Sequence, residues 1–404
     1  MKQILMFVFG VPEELPPMMN EARTLADRGY VVRILGLRRK PEDPAYNEAG
    51  GLFIHRMYLR SRHFVGDRDA FEIVRYGEAV LRSFVWGFFH RAAMIVAHDL
   101  VTLPQTYPLA FLKRIPLVYR AHELWGEQKA AFSRAGLWKR LDSFFVPRVD
   151  LVVAPESNRG RVYRNEFKAG REPLIVYNCT RLRPIPPRPV LEERLRSTGS
   201  RASFAVYYQG GISSDRMIGN LVEAMTFVTD EVALVLVGRM EPAFTRWCAD
   251  YCRRSGSGHR IIHIEHVPYG EELFALCAGA NVGVMFVRGD CRNNIFNVTA
   301  ANKLFEYMMM GVPVLTVDFA AHREFVEGKG IGRCVNAEDP ESIGRVIMEM
   351  FRDREATAAM GARARHLAEQ EFNWEEQSRK LIAAYENLIL GRASTYGTQG
   401  TPGS

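Results

Sequence analysis

Three groups of residues have types and spacings that suit a phosphorylated, hydroxyl-bearing ligand. The first is YYQGGISSDRM (Tyr207–Met217), where an apolar run ends at Gly210-Gly211 and a short polar loop leads to Arg216, ahead of a helical stretch. Paired glycines let a backbone approach a ligand closely, and a guanidinium can fork onto a diphosphate. An ordinary strand-to-helix turn explains the same residues as well. The second is TAANKLFEYMMMGVPVLT (Thr299–Thr316), which reads as a helix opening near Thr299–Asn302 and closing at Gly311. The first amides of such a helix carry partial positive charge and favour phosphate. Glu306, one to two turns in, could accept hydrogen bonds from two neighbouring hydroxyls, as a ribose presents. The plainer alternative is a Lys303–Glu306 surface pair at i,i+3. The third group is His98-Asp99 and His122-Glu123, each closing an apolar run. A sugar hydroxyl or a departing phosphate needs directional partners of this kind; satisfied histidines capping strand ends are the alternative.

Two other constellations point elsewhere. His263 and His266 are three apart on an expected strand, which puts them on opposite faces and argues against a shared metal. Cys248 and Cys252 stand at helical i,i+4 spacing and read as core.

These residues need a scaffold that gathers strand ends. QILMFVFG, YVVRILGL, GLFIHRMYL, AMIVAHD, PLVYRAHE, DLVVAPE and PLIVYN read as strands in the first half. SFAVYYQGG, ALVLVGR, IIHIEHV, NVGVMFV and VPVLTVD repeat the scheme in the second. Apolar runs separated by amphipathic helices predict parallel sheets covered on both faces, an α/β doubly wound architecture. Such sheets bind ligands at the carboxyl ends of their strands, where all three groups fall. A chain of 404 residues is too long for one core. The proline- and arginine-rich stretch 179–201 has linker composition. The expected organisation is therefore a Rossmann-like domain over 1–178, a linker over 179–201, a second Rossmann-like domain over 202–370, a final helix over 371–390 and a disordered tail over 391–404.

Charge is unevenly placed. Residues 1–178 hold 27 Lys+Arg against 19 Asp+Glu, whereas 179–404 hold 26 against 27, so the first half carries all of the net +7 and more. That asymmetry suggests an anionic partner, a phosphorylated substrate or a lipid surface, beside the simple reading of a solvated surface. No apolar run approaches the roughly 20 residues of a membrane span. The opening MKQILMFVFG reads as a first strand, not a signal peptide. Six scattered cysteines without a CxxC pair fit a reduced cytosolic compartment. The basic residues form no recognisable nucleic-acid motif.

Taken together, YYQGGISSDR, HVPYGEELFALCAGANVGVMF, NKLFEYMMMGVPVLT and FNWEEQSRKLIAAYENL resemble a retaining glycosyltransferase of the GT4 family, over nearly the whole chain. The resemblance implies the GT-B fold, two Rossmann-like domains facing each other across a cleft, with the last helix returning to the first domain. It implies a nucleotide-diphospho-sugar donor on the C-terminal domain, an acceptor on the N-terminal domain, and no metal or other cofactor. Glu306 matches the glutamate that holds the nucleotide ribose, and Arg216 the basic residue that meets the diphosphate. Gly238 and the backbone at Val267 match the region that lodges the base, and His122 a residue near the transferred sugar. Three departures matter. The family's first glutamate is replaced by Val298, a second basic residue after Arg216 by Met217, and the N-terminal glycine pair is reduced to Gly10. Lys303 is the candidate for the missing cation.

Retention without an evident nucleophile implies that the leaving diphosphate takes the acceptor's proton, with Arg216, Lys303 and helix amides stabilising its charge and His122 and His98 orienting hydroxyls. Closure of the domains over the donor would exclude water. The expected acceptor is a glycan or a polyprenyl- or lipid-linked sugar, in cell-surface polysaccharide or glycolipid synthesis. The expected location is the cytoplasm or the inner face of the plasma membrane. LRSFVWGFFHR (Leu81–Arg91) mixes aromatic and basic residues as a bilayer-docking segment does. Phe84, Val85 and Phe88 also fall on the helical face expected to cover the sheet, so core packing explains them too. The rival readings are a GT-B nucleotide-sugar epimerase and a catalytically degenerate sugar-nucleotide-binding protein.

Overall fold

The computed structural model describes residues 2–61, 72–127, 135–186, 189–213 and 216–397. The chain divides into two compact units, Met1–Tyr177 with Glu375–Ser404, and Asn178–Trp374.

The first unit is built on an eight-stranded sheet: β1 (Gln3–Val8), β2 (Val31–Leu37), β3 (Tyr46–Ala49), β4 (Leu52–Met57), β5 (Met94–His98), β6 (Leu117–Arg120), β7 (Leu151–Ala154) and β8 (Leu174–Ile175), in the order β3-β4-β2-β1-β5-β6-β7-β8. All neighbours pair parallel except β3 with β4. Strands β5, β6 and β7 are buried along their whole length, as continuous apolar runs between two helical layers must be. The order changes direction between β1 and β5, so the carboxyl ends of these strands form a topological switch point. There Val8 pairs with His98.

The second unit holds six parallel strands: β9 (Phe204–Gln209), β10 (Val232–Val237), β11 (Ile261–Ile264), β12 (Val282–Met285), β13 (Val314–Val317) and β14 (Gly332–Val335), in the order β11-β10-β9-β12-β13-β14. Its switch point lies between β9 and β12. Gly210-Gly211 follow β9, and the helix Asn302–Met309 lies between β12 and β13.

Four differences from the sequence reading have physical causes. Strand β3 is exposed at every position and so shows no apolar pattern; Gly50 and Gly51, with φ of +55° and +83°, make the tight turn into β4. Strand β14, which the sequence reading did not include, is GRCV with only its first and last residues buried, so it shows no apolar run. The 179–201 stretch carries a helix, Pro189–Ser197, whose Leu191 and Leu195 are buried in the second unit. His266 lies beyond the end of β11, so it shares no strand with His263.

The helix Glu72–Phe89 corrects one face assignment. It buries Ala79, Ser83 and Gly87, while Val85 and Phe88 are about half exposed. A Cβ at Gly87 would collide with Leu109 and Phe7. Small residues let this helix sit close on its neighbours, with Tyr76 and Trp86 packed inward on Phe9 and Phe7, while Val85, Phe88 and Phe89 point outward. At the other end of the chain the helix Trp374–Gly397 runs on into the segment read as tail. From Glu375 it belongs to the first unit. There the Tyr385 hydroxyl donates to Glu21 at 2.7 Å, and Glu21 faces Arg120 at 3.0 Å, all three fully buried.

Candidate active site

In the second unit, the carboxyl end of β9 is shaped by two glycines in backbone conformations that side chains rarely adopt, Gly210 (φ +126°) and Gly238 (φ +139°). The Gly210 amide donates to Val237, and the Gly238 amide donates to Ile264. A Cβ at Gly238 would collide with the Gly210 carbonyl oxygen. Gly238 is thus required by the close approach of two strand exits. His263 Nε2 lies 2.8 Å from the Gly238 carbonyl. Gly211 accepts the Tyr208 hydroxyl at 2.8 Å, which pins the turn.

Onto this turn the helix Asn302–Met309 brings its charges. Lys303 places its ammonium 3.9 Å over the Tyr208 ring and close to Gly210. Burial and the neighbouring Arg216 push its pKa down to about 7. Glu306 is only 5% exposed. It accepts a hydrogen bond from the Gln209 side chain, at the last position of β9. Burial lifts its pKa to about 7, against the pull of Lys303, Gln209 and Arg183. Ala301 supplies no side-chain cap, so the first-turn amides of this helix find no partner in the capping residue's side chain. Thr299, buried ahead of the helix, accepts the Asn178 amide through its carbonyl. Arg216 is exposed and enters the seven-residue helix Ile218–Ala224 through Met217, itself at φ +55°. Val267 lies in the loop after β11, on the far side of β10 from the glycine turn.

In the first unit, His98 closes β5 and His122 follows β6. Their rings stack at 5.3 Å, with His98 Nδ1 3.0 Å from His122 Nε2. Burial and nearby cationic groups hold both pKa values well below the usual imidazole value, so both rings are neutral at pH 7. Among the described residues His98 Nε2 has no hydrogen-bond partner. Asp99 stands beside them at φ 67°, ψ 159°, a conformation that costs a non-glycine residue of the order of 1–3 kcal/mol. Its carboxylate accepts the His122 amide at 3.0 Å, and burial with the adjacent Glu123 lifts its pKa to about 7. Arg159 donates to the His122 carbonyl.

The geometry therefore assembles Gly210, Gly211, Arg216, Gly238, Lys303 and Glu306 at one switch point. His98 and His122 meet at the other. Two family descriptions match the chain: "Glycosyl transferase 4-like domain" over residues 18–176 and "Glycosyl transferases group 1" over residues 204–353. The chain belongs to the GT4-like glycosyltransferases of the GT-B fold.

Solved structures with the same fold include sucrose-phosphate synthase from Thermosynechococcus elongatus, 17% identical with a TM-score of 0.78, covering 97% of this chain and 100% of its own. Anabaena HepE, solved with UDP and glucose, is 15% identical with a TM-score of 0.73, covering 96% and 100%. WaaG, a glycosyltransferase involved in lipopolysaccharide biosynthesis, is 15% identical with a TM-score of 0.65, covering 93% and 98%. No curated protein matches this glycosyltransferase in sequence.

Three residues of these sites escaped the sequence reading of their roles. Gln209 was visible only as the last residue before a glycine pair. Arg183 lies in a stretch of linker composition, yet its guanidinium stacks 3.6 Å over Phe274 and acts on Glu306. Asp99 had one signal, an acidic residue next to a strand-end histidine; its backbone strain has no trace in sequence.

Proposed function

We propose that this glycosyltransferase is a retaining, metal-independent hexosyltransferase that uses a nucleotide-diphospho-sugar donor. The observation that carries the reading is the buried carboxylate of Glu306 set one turn beyond Lys303, with Arg216 close to that ammonium, at the exit of β9. A buried carboxylate is costly without donors, and ribose hydroxyls supply two. Two cations and the helix amides offset a diphosphate's charge without a metal. The complexes of HepE with UDP, glucose and UDP-glucose support a uridine donor.

In the transfer step the sugar C1–O bond to the diphosphate breaks as the acceptor oxygen bonds to C1 from the same face. The acceptor proton passes to the departing diphosphate oxygen. Lys303 and Arg216 stabilise the charge that develops there. The neutral His98–His122 pair, through the free Nε2 of His98, and the Asp99 carboxylate orient the acceptor hydroxyl. The acceptor is a glycan or lipid-linked sugar of the cell surface, a reading supported by the involvement of WaaG in lipopolysaccharide biosynthesis.

The test is a thermal-shift panel of UDP, GDP, ADP and their sugar conjugates in the presence of a chelator. Ligand that binds only the folded state raises the melting temperature. One nucleotide diphosphate is expected to give a clear shift. Glu306→Ala and Arg216→Ala should each weaken it, and His122→Ala should keep it while lowering turnover about a hundredfold or more. Unchanged nucleotide affinity in both of the first two variants would falsify this placement of the donor.

A further inference from the structure

The Glu72–Phe89 helix is inverted relative to an ordinary surface helix. Its fully buried residues are the small Ala79, Ser83 and Gly87, with Tyr76 and Trp86 packed beside them, and Val74, Leu81, Val85 and Phe88 are 46–64% exposed. Spacings of seven, four and three put these four on one stripe. Phe89, at its end, is 78% exposed. The stripe continues onto the end of the helix Leu103–Lys113, where Phe111 and Leu112 are 73% and 58% exposed. Lys113 joins the two, donating to the Phe88 carbonyl at 2.9 Å with its ammonium 5.8 Å from that ring. Arg114 and Arg148 line a hollow of about 500 Å³ beside Phe111, and Arg148 lies 4.2 Å over Phe144, itself 46% exposed.

We propose that this face docks the first unit onto an anionic lipid bilayer. A contiguous apolar patch of this kind on a folded chain marks an interaction surface. Its fringe carries Lys113, Arg114 and Arg148, and the nearby carboxylates are tied to partners within the fold. Glu78, within the stripe, accepts from Arg82 at 2.7 Å and from the Arg60 and Ser61 amides at 2.8 Å each. Asp150, in the hollow, accepts the Leu117 amide. Lysine and arginine at helix ends complement the helix dipole in any protein, which accounts for the charges here but not for the bare rings. A second copy of this chain fits less well, since a two-fold contact would press the cationic fringe against itself. An anionic bilayer accepts both the rings and the charges.

Docking has a geometric consequence for the first unit. The first turns of the helix lie at the carboxyl edge of the sheet, where Tyr76 packs 5.5 Å from Phe9, just past β1. A helix lying flat in the interface therefore leaves the edge that bears His98 and His122 opening along the headgroups.

The experiment is co-sedimentation of the full chain with phosphatidylcholine vesicles, with and without phosphatidylglycerol. Binding is expected only with the anionic lipid and should fall as salt rises. Arg114→Glu with Arg148→Glu should weaken it by at least about tenfold, and Phe89→Ser with Phe111→Ser should also weaken it. All four positions are exposed, so the variants should keep the wild-type melting temperature and its shift with nucleotide. That readout separates failure here from failure of the donor assignment. Absent or equal binding to the two vesicle types overturns the proposal, as does indifference to both double substitutions. A concentration-dependent dimer that Phe89→Ser dissolves would also overturn it, in favour of self-association.

Discussion

Glu306 and Lys303 are titrated toward each other by the same burial, one up and one down, and both reach about 7. The two have opposite linkage. A carboxyl whose folded pKa exceeds its unfolded value stabilises the fold fully at low pH and loses that contribution as pH rises through the folded pKa. For Glu306 the window runs from about 4.5 to about 7. A depressed lysine contributes fully above its unfolded value near 10.5 and loses that contribution as pH falls to about 7. Between them, the two groups leave the unliganded site least stable near neutrality. Glu306→Gln should remove the acidic limb: relative to the variant, wild type should lose on the order of 3 kcal/mol between the two ends of the Glu306 window. Urea denaturation on both sides of that window checks this. Equal pH dependence in the two proteins would mean that Glu306 ionises as an ordinary surface carboxylate.

At the scale of elements, the Asn302–Met309 helix is held against β12 by an absent side chain. A Cβ at Gly283 would run into the Tyr307 ring. The Tyr307 hydroxyl donates to Val284 at 3.2 Å and accepts the Gln209 amide at 3.4 Å. One glycine therefore sets the height of the helix and, through it, the reach of Glu306 to Gln209. Gly283→Val should cost roughly 1–3 kcal/mol by overpacking. Nucleotide titration by calorimetry should show affinity weakened beyond what the loss of stability explains; unaltered affinity would show that helix height does not set the site. Much of this scale was legible in advance. The buried strands announced themselves as apolar runs, and YYQGG and NKLFE marked the turn and helix that carry the charges. What stayed hidden depends on neighbours distant in sequence. Strand β3 has no apolar face to display, Phe88 points outward only because Gly87 points in, and Gln209 matters because β9 ends beside a helix almost a hundred residues later.

At the scale of the molecule, the first unit is discontinuous, its last helix supplied from Glu375 onward. Tyr385 supplies a donor to the fully buried Glu21, whose burial raises its pKa against the pull of Arg120 and this hydrogen bond. Tyr385→Phe should destabilise the first unit by about 1–3 kcal/mol, since Glu21 loses a partner it cannot replace with water. Guanidinium unfolding of the variant gives the value, and a change near zero would mean that Arg120 alone satisfies the carboxylate. A fragment ending at Tyr177 should bind a peptide of residues 375–397 and gain cooperativity from it, visible as a sharpened thermal transition.

The same helix imposes a timetable on the ribosome. At about 5–20 residues per second, the interval between Tyr177 and Glu375 lasts on the order of 10–40 s. Throughout it the nascent first unit lacks its closing helix, whereas the second unit, contiguous in sequence, waits for no segment from beyond its own span.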